Sequence, residues 1–217
     1  MTGTTNAPNK LTPKGQRTRA RIVDTAARLN WERGITATTL EGVKLAAEVS
    51  SSQLYHYFAD KEQLINAVIE HQADKLVNNT ESANLGSAES LAAWRDLVIA
   101  HADAIHGQGG CPLGALGSQL AEYDPEARAL VAAGFGRWAT AIQEGMRSLH
   151  GQGRLAAGVD PDDLAVTVLA ALQGGLLLAQ VHRDVRPLQT TLHTILTMAG
   201  VTDSHGGPRH SGAELPS

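Results

Sequence analysis

At 217 residues the chain is long enough for one large domain or two small ones, and its single cysteine, Cys111, excludes an intrachain disulfide or a multi-cysteine metal site and fits a reducing, cytoplasmic setting. The net charge of −4 argues by itself against a nucleic-acid partner. The charge is uneven, however: residues 1–58 hold eight Lys/Arg against four acids, and residues 81–217 hold eight against fourteen, so a basic front is joined to an acidic back, as in a polyanion-binding module.

The opening residues "MTGTTNAPNKLT" are polar, lack the apolar run of a secretion signal, and read as a flexible arm over 1–12. Thr12 and Pro13 suit the N-cap and first position of a helix running through "KGQRTRARIVDTAARLNWERG". Ile22, Ala26 and Leu29 share one face of it, with Val23, Ala27 and Trp31 beside them, and Gly34 ends it. Thr39 can cap a two-turn helix, "LEGVKLAAE"; Val49 and Ser50 make a turn; Ser50 can cap a third short helix, "SSQLYHYF". Asp60 can cap a fourth, with Glu62 in its first turn, where the helix dipole favours an acid.

Beyond about residue 80 the helices lengthen. Ser87 caps one, a glycine-rich break "GQGGCPLG" leads into a shorter one, and Asp124-Pro125 and Asp160-Pro161 open two more. A last helix starts at Pro187, and the polar, Gly/Pro-containing residues 202–217 read as a disordered tail. No strand pattern emerges, so the fold class is all-α. Residues 164–181, "LAVTVLAALQGGLLLAQV", carry no charge but fall just short of the roughly 20 residues a membrane span needs. With Gln173, Gln180 and two glycines inside, they read as a buried helix of a soluble protein, and no membrane partner is expected.

Two short helices joined by a tight turn, between longer ones, form a helix-turn-helix layout. The second short helix would enter the major groove of double-stranded DNA with its N-terminal residues leading. Ser51 and Ser52 would allow close approach, Gln53 could pair with an adenine edge, and Tyr55, His56 and Tyr57 could donate to phosphates or touch base edges. Leu54 and Phe58 would point inwards. Thr39, Ser50 and Lys61, at helix starts, could reach phosphates, and Arg17, with Arg19 and Arg21, would add affinity without sequence information.

These residues carry a resemblance. "GITATTLEGVKLAAEVSSSQLYHYFADKEQL" resembles the DNA-binding domain of the TetR family of bacterial transcriptional repressors, through Gly34, Thr38, Thr39, Val49, Ser50, Leu54, Tyr55, Tyr57, Phe58, Lys61 and Glu62. "GCPLGALGSQLAEYDPEAR" is similar to a subgroup that includes repressors of drug-efflux and flavonoid-responsive genes. The resemblance implies an all-helical homodimer, joined through the last two helices of each subunit, whose C-terminal domain binds a small-molecule effector and releases DNA. It divides the chain into a helix-turn-helix DNA-binding domain (13–60), a connecting helix (61–80) and a ligand-binding and dimerisation bundle (81–201).

An apolar pocket between bundle helices would draw on Cys111, Leu113, Leu116, Phe135, Trp138, Leu172 and Leu176. Three residues depart from the family pattern: Glu48 replaces the usual turn glycine, Lys44 a small alanine, and Asn30 a core phenylalanine. They motivate an alternative, a helical relative that has lost specific DNA binding and binds a ligand or protein. An enzyme is disfavoured: there is no nucleophile–base pair, metal-ligand spacing or phosphate loop, and no cofactor or catalytic residue is expected.

Overall fold

The computed structural model describes residues 11–201. The tail expected at 202–217 lies outside these residues, as does the arm expected at 1–12 apart from Leu11 and Thr12. The described residues are all-α, with nine helices and no strand among them: α1 (Pro13–Ala37), α2 (Leu40–Ala46), α3 (Ser51–Tyr57), α4 (Lys61–Ala83), α5 (Ala88–Ala104), α6 (Pro112–Leu120), α7 (Pro125–Gly151), α8 (Pro161–His182) and α9 (Arg186–Met198).

The helix starts follow the local chemistry of the chain. Thr12, Thr39, Ser50, Ser87 and Asp160 each accept a first-turn amide at the N-cap, and Asp60 accepts from Gln63 N at 2.8 Å. Gly34, at φ 79°, breaks α1, and only a short turn continues to Ala37. A positive φ of this kind favours a residue without Cβ.

By contact the chain forms two compact units, and α4 and α7 supply residues to both. The first comprises 11–75 and 112–135 of the described residues. Its core joins Ile22, Ala26 and Leu29 of α1 to Val43, Leu54, Phe58, Leu64 and Val68. Trp31, expected on the apolar face of α1, sits at its edge at 36% exposure. On the outside, Asp24 of α1 meets His71 at 2.8 Å and Lys75 at 3.3 Å on α4, half-exposed pairs that contribute little to stability.

The second unit comprises 76–111 and 136–201 of the described residues. In its interior the Trp138 indole donates to Thr80 Oγ1 at 2.8 Å, and Thr80 donates to Leu76 O. Arg147 grips Asp162 through two bonds of 2.7 Å, which hold the Asp162 carboxyl below the usual carboxylate range. The glycine-rich stretch before α6 lies on α8: a Cβ on Gly107 would fall 2.4 Å from Ala179 O. Helices α8 and α9 pack at similarly close range, since a Cβ on Gly175 would fall 2.9 Å from Leu188 Cα, whereas one on Gly174 would meet nothing within 4 Å.

The adjacent glycines are therefore expected to respond oppositely in urea denaturation. Gly175→Ala should cost about 1–3 kcal/mol through overpacking against the α9 backbone. Gly174→Ala should leave the unfolding free energy unchanged or raise it by up to about 1 kcal/mol through helix propensity.

Candidate nucleic-acid interface

The turn between α2 and α3 is closed at both ends by hydrogen bonds. Val49 N donates to Lys44 O and Glu48 N to Leu45 O, both at 3.2 Å, the paired bonds of a Schellman helix ending. The left-handed residue this ending requires is Glu48, at φ 52°. A side chain there costs about 1 kcal/mol relative to glycine, and the two closing bonds hold it in place. On the far side Ser50 and Gln53 form a capping box: Ser50 Oγ accepts from Gln53 N at 3.2 Å, and Gln53 Oε1 accepts from Ser50 N at 2.9 Å.

Helix α3 has a buried and an open side. Leu54 and Phe58 are buried, and Arg19 lays its guanidinium 5.3 Å from the centroid of the Phe58 ring. Ser51, Ser52, Gln53, Tyr55 and His56 are all exposed. They lie on the N-terminal and outer part of the helix, where a groove-reading helix carries its contacts.

Several expected contact residues already have intramolecular partners. Ser50 is occupied as a cap and also meets the Ser52 hydroxyl at 2.9 Å. The carbonyl oxygen of Gln53 is taken by the capping box, so bidentate pairing with adenine N6 and N7 requires that box to open. Thr39 caps α2 while remaining exposed. Tyr57 is half-buried, its hydroxyl against the start of α1, 3.3 Å from where a Cβ on Gly15 would stand, and its ring meets His56 edge-on. Lys61 turns inwards and donates to Ile35 O at 2.7 Å. Arg17 is exposed at the start of α1.

Lys44 was not among the expected contact residues. Its ammonium, beside Glu41 at 2.6 Å, also reaches Ser51 Oγ at 3.4 Å, which brings a cation to the tip of the reader helix. The only sequence signal was its replacement of a small residue. Asn30, the third departure, is 8% exposed and its Oδ1 has no hydrogen-bond partner.

The seven residues expected around an effector divide between the units. Leu113, Leu116 and Phe135 belong to the first, where Leu113 packs at Gly134 and Leu116 lines a narrow crevice with Asn30, Trp31 and Gln119. Cys111, Trp138, Leu172 and Leu176 belong to the second; all are buried except Leu176, which is half-buried. Gln173 shares the stripe of Leu169, Leu172 and Leu176 on α8, and its buried amide nitrogen has no partner. Periodicity alone gave it no distinction from the leucines around it.

Two family models match the chain: "Bacterial regulatory proteins, tetR family" over residues 22–68, and "Tetracyclin repressor-like, C-terminal domain" over 87–195. An uncharacterized HTH-type transcriptional regulator of Mycobacterium tuberculosis is 32% identical over 179 residues, covering 78% of this chain and 88% of that one. Among solved structures, reduced NemR of E. coli superposes with a TM-score of 0.78 at 19% identity, covering 86% of this chain and all of that one. A complex of triclosan with SmeT, the repressor of a Stenotrophomonas maltophilia multidrug efflux pump, gives 0.70 at 22%, covering 93% of this chain and all of that one. At these identities the solved structures share the fold.

Glycine at the left-handed turn position should relieve its backbone penalty. Glu48→Gly is expected to raise the unfolding free energy in urea by up to about 1 kcal/mol.

Proposed function

The chain belongs to the TetR family of bacterial regulatory proteins and is a transcriptional regulator, and we propose that it acts as a dimeric repressor released from its operator by a small molecule. Membership of this family makes it a regulator and not an enzyme. The observation that carries the DNA reading is α3 itself, capped at its tip by Ser50 and Gln53, anchored through Leu54 and Phe58, and open along Ser51, Ser52, Tyr55 and His56. Glu48, Lys44 and Asn30 leave this arrangement standing, which favours a working reader over one that has lost DNA binding.

In this reading residues 13–60 read DNA. Ser51, Ser52, Gln53, Tyr55 and His56 face the groove; Arg17, Thr39, Tyr57 and Lys44 hold the phosphates; Ser50 holds the shape of the reader. Lys61, already committed to Ile35 O, has two ammonium hydrogens left for a phosphate.

Residues 81–201 serve dimerisation and effector binding. Helix α8 is long and apolar enough to cross a membrane by composition, at mean hydropathy 1.9, and 44% of that apolar window is buried. Its exposed stripe runs through Val166, Ala170, Gly174, Leu177 and Val181 at helical spacing, with Leu178 beside it and Met198 exposed on α9. A second copy meeting the same stripe about a two-fold axis would bury it and set two readers on half-sites about 34 Å apart, or a multiple of that, in a palindromic operator in the cytoplasm.

The effector site is assigned to the interior of the second unit near Trp138, Leu172 and Leu176, with Cys111 on the loop that lies along α8. The unpaired Gln173 nitrogen suits an acceptor on the ligand, a carbonyl or ether oxygen on a mostly apolar molecule. SmeT, which shares this fold, forms a complex with triclosan. The ligand releases DNA by binding more tightly to a state whose readers are wrongly spaced.

The test is a mobility shift with the DNA upstream of the protein's own gene. A salt-sensitive complex that scrambled DNA does not form is expected, and its absence would refute the repressor reading. Tyr55→Ala should abolish the preference over scrambled DNA, and Lys44→Ala should lower the salt slope of log K by about one per subunit. Leu177→Arg, at a position 59% exposed, should leave helix content intact while light scattering reports a monomer.

A further inference from the structure

Gly34 leaves the helical region at φ 79°, and the amide of the next residue, Ile35, finds its partner far along the chain: it donates to Gln119 Oε1 on α6 at 3.1 Å. The other end of that side-chain amide is also held, because Gln119 Nε2 donates to Ala115 O, one turn back on the same helix, at 3.0 Å. The Ile35 carbonyl accepts from Lys61 Nζ, in the first turn of α4, at 2.7 Å. One residue is therefore gripped through its N–H by α6 and through its C=O by α4. Four residues later Thr39 caps α2.

Beneath this clamp lies a buried polar group without a partner. Asn30, 8% exposed with an unpartnered Oδ1, lines both the crevice against α6, with Ala115, Leu116 and Gln119, and the crevice against α2 and α4, with Thr39, Val43 and Lys61. A buried carbonyl without a partner costs stability, so Asn30 weakens the packing that Leu29 and Ile35 otherwise give the end of α1. Its direction is also held by the hydrogen bonds at Ile35, where Thr38 N joins Lys61 Nζ on the same carbonyl at 3.3 Å. Because α2 follows at once and carries α3 through the closed turn, the direction of the α1 end is also that of the reader.

We propose that Gln119 is a positioning residue for DNA binding: it lies outside the helix-turn-helix, touches no DNA, and sets the presentation of α3 by holding the Ile35 amide from α6. The proposal rests on the reading of α3 as the DNA-contacting helix. The amide oxygen must be where it is for α2 and α3 to stand where they do, so a shift of α6 relative to Ile35 is felt at the reader as a lost bond.

The test uses the full-length protein and two substitutions. Gln119→Leu keeps the bulk and removes the acceptor; Gln119→Glu keeps an oxygen that accepts. Affinity is measured by fluorescence anisotropy on a duplex from upstream of the protein's own gene and on a scrambled duplex, and backbone hydrogen–deuterium exchange is followed at Ile35. Gln119→Leu should weaken specific binding about fivefold, the worth of one hydrogen bond, leave scrambled-DNA binding near that of the parent, lower the melting midpoint modestly through the unpaired Ile35 amide, and speed exchange at Ile35. Gln119→Glu, which keeps the acceptor and loses the donation to Ala115 O, should recover most of the affinity and protection that Gln119→Leu loses. Parent-like affinity in Gln119→Leu, or equal losses in the two variants, overturns the positioning role. Unchanged Ile35 exchange in Gln119→Leu overturns the bond itself. A parent with no specific complex overturns the DNA reading on which the proposal rests, whatever Ile35 exchange reports.

Discussion

A helix of seven residues cannot hold itself together in water, because the cost of nucleation is spread over too few hydrogen bonds. Helix α3 is such a helix, and the DNA-facing half of the molecule is organised around keeping it helical and pointing outwards. Leu54 and Phe58 fasten it to the core, the Ser50–Gln53 box ties its first turn, and the bonds from Glu48 and Val49 fix the chain that delivers it. The capping box uses two exposed polar side chains, Ser50 and Gln53, that would otherwise be open to solvent. The most polar residues at the tip are thus partly spent on structure, and Tyr55, His56 and Ser51 are left as its open face. Lys44 compensates from α2, bringing a cation to a tip whose own residues are uncharged.

What the sequence made legible is what depends on near neighbours. Thr12, Thr39, Ser50, Asp60 and Ser87 could be read as caps because the bond each makes is three residues away. Glu48 could be flagged because it stands where the resembled family carries a turn glycine, and it is indeed at φ 52°. The spacing of Leu54 and Phe58 gave the buried side of the reader. Lys61 looked like a phosphate contact for the same local reason, its place at a helix start. That its ammonium would turn to Ile35, 26 residues earlier, was not visible because the partner is a backbone carbonyl with no sequence signature. Gln119 was hidden in the same way, and so was the difference between Gly174 and Gly175, adjacent letters that point one to open space and one to Leu188.

The effector residues were the least legible, for a related reason. Leucines at helical spacing report that a face is apolar without saying which neighbour it meets. Leu113 and Leu172 looked alike in the sequence, yet one packs at Gly134 in the first unit and the other belongs to the second. What sets a ligand site apart is a polar group left unpaired in apolar surroundings. That property needs coordinates, and Gln173 has it.

Helix α8 shows how the same composition can answer two questions differently. An uncharged stretch long enough to span a bilayer would need an apolar surface on every side that meets lipid. Here the inward side is committed to Leu164, Val168, Leu172 and Gly175, the last pressed against α9. What remains outside is a narrow stripe and not a whole cylinder, with Thr167 exposed near its start, Gln180 half-exposed on its flank, and His182 exposed at its end. A stripe one or two residues wide, carrying a glycine at its middle, is the width that another helix covers. The geometry of the exposed side therefore favours a second copy as its cover, and it is this pairing that would convert one short, externally supported reader into a two-site ruler.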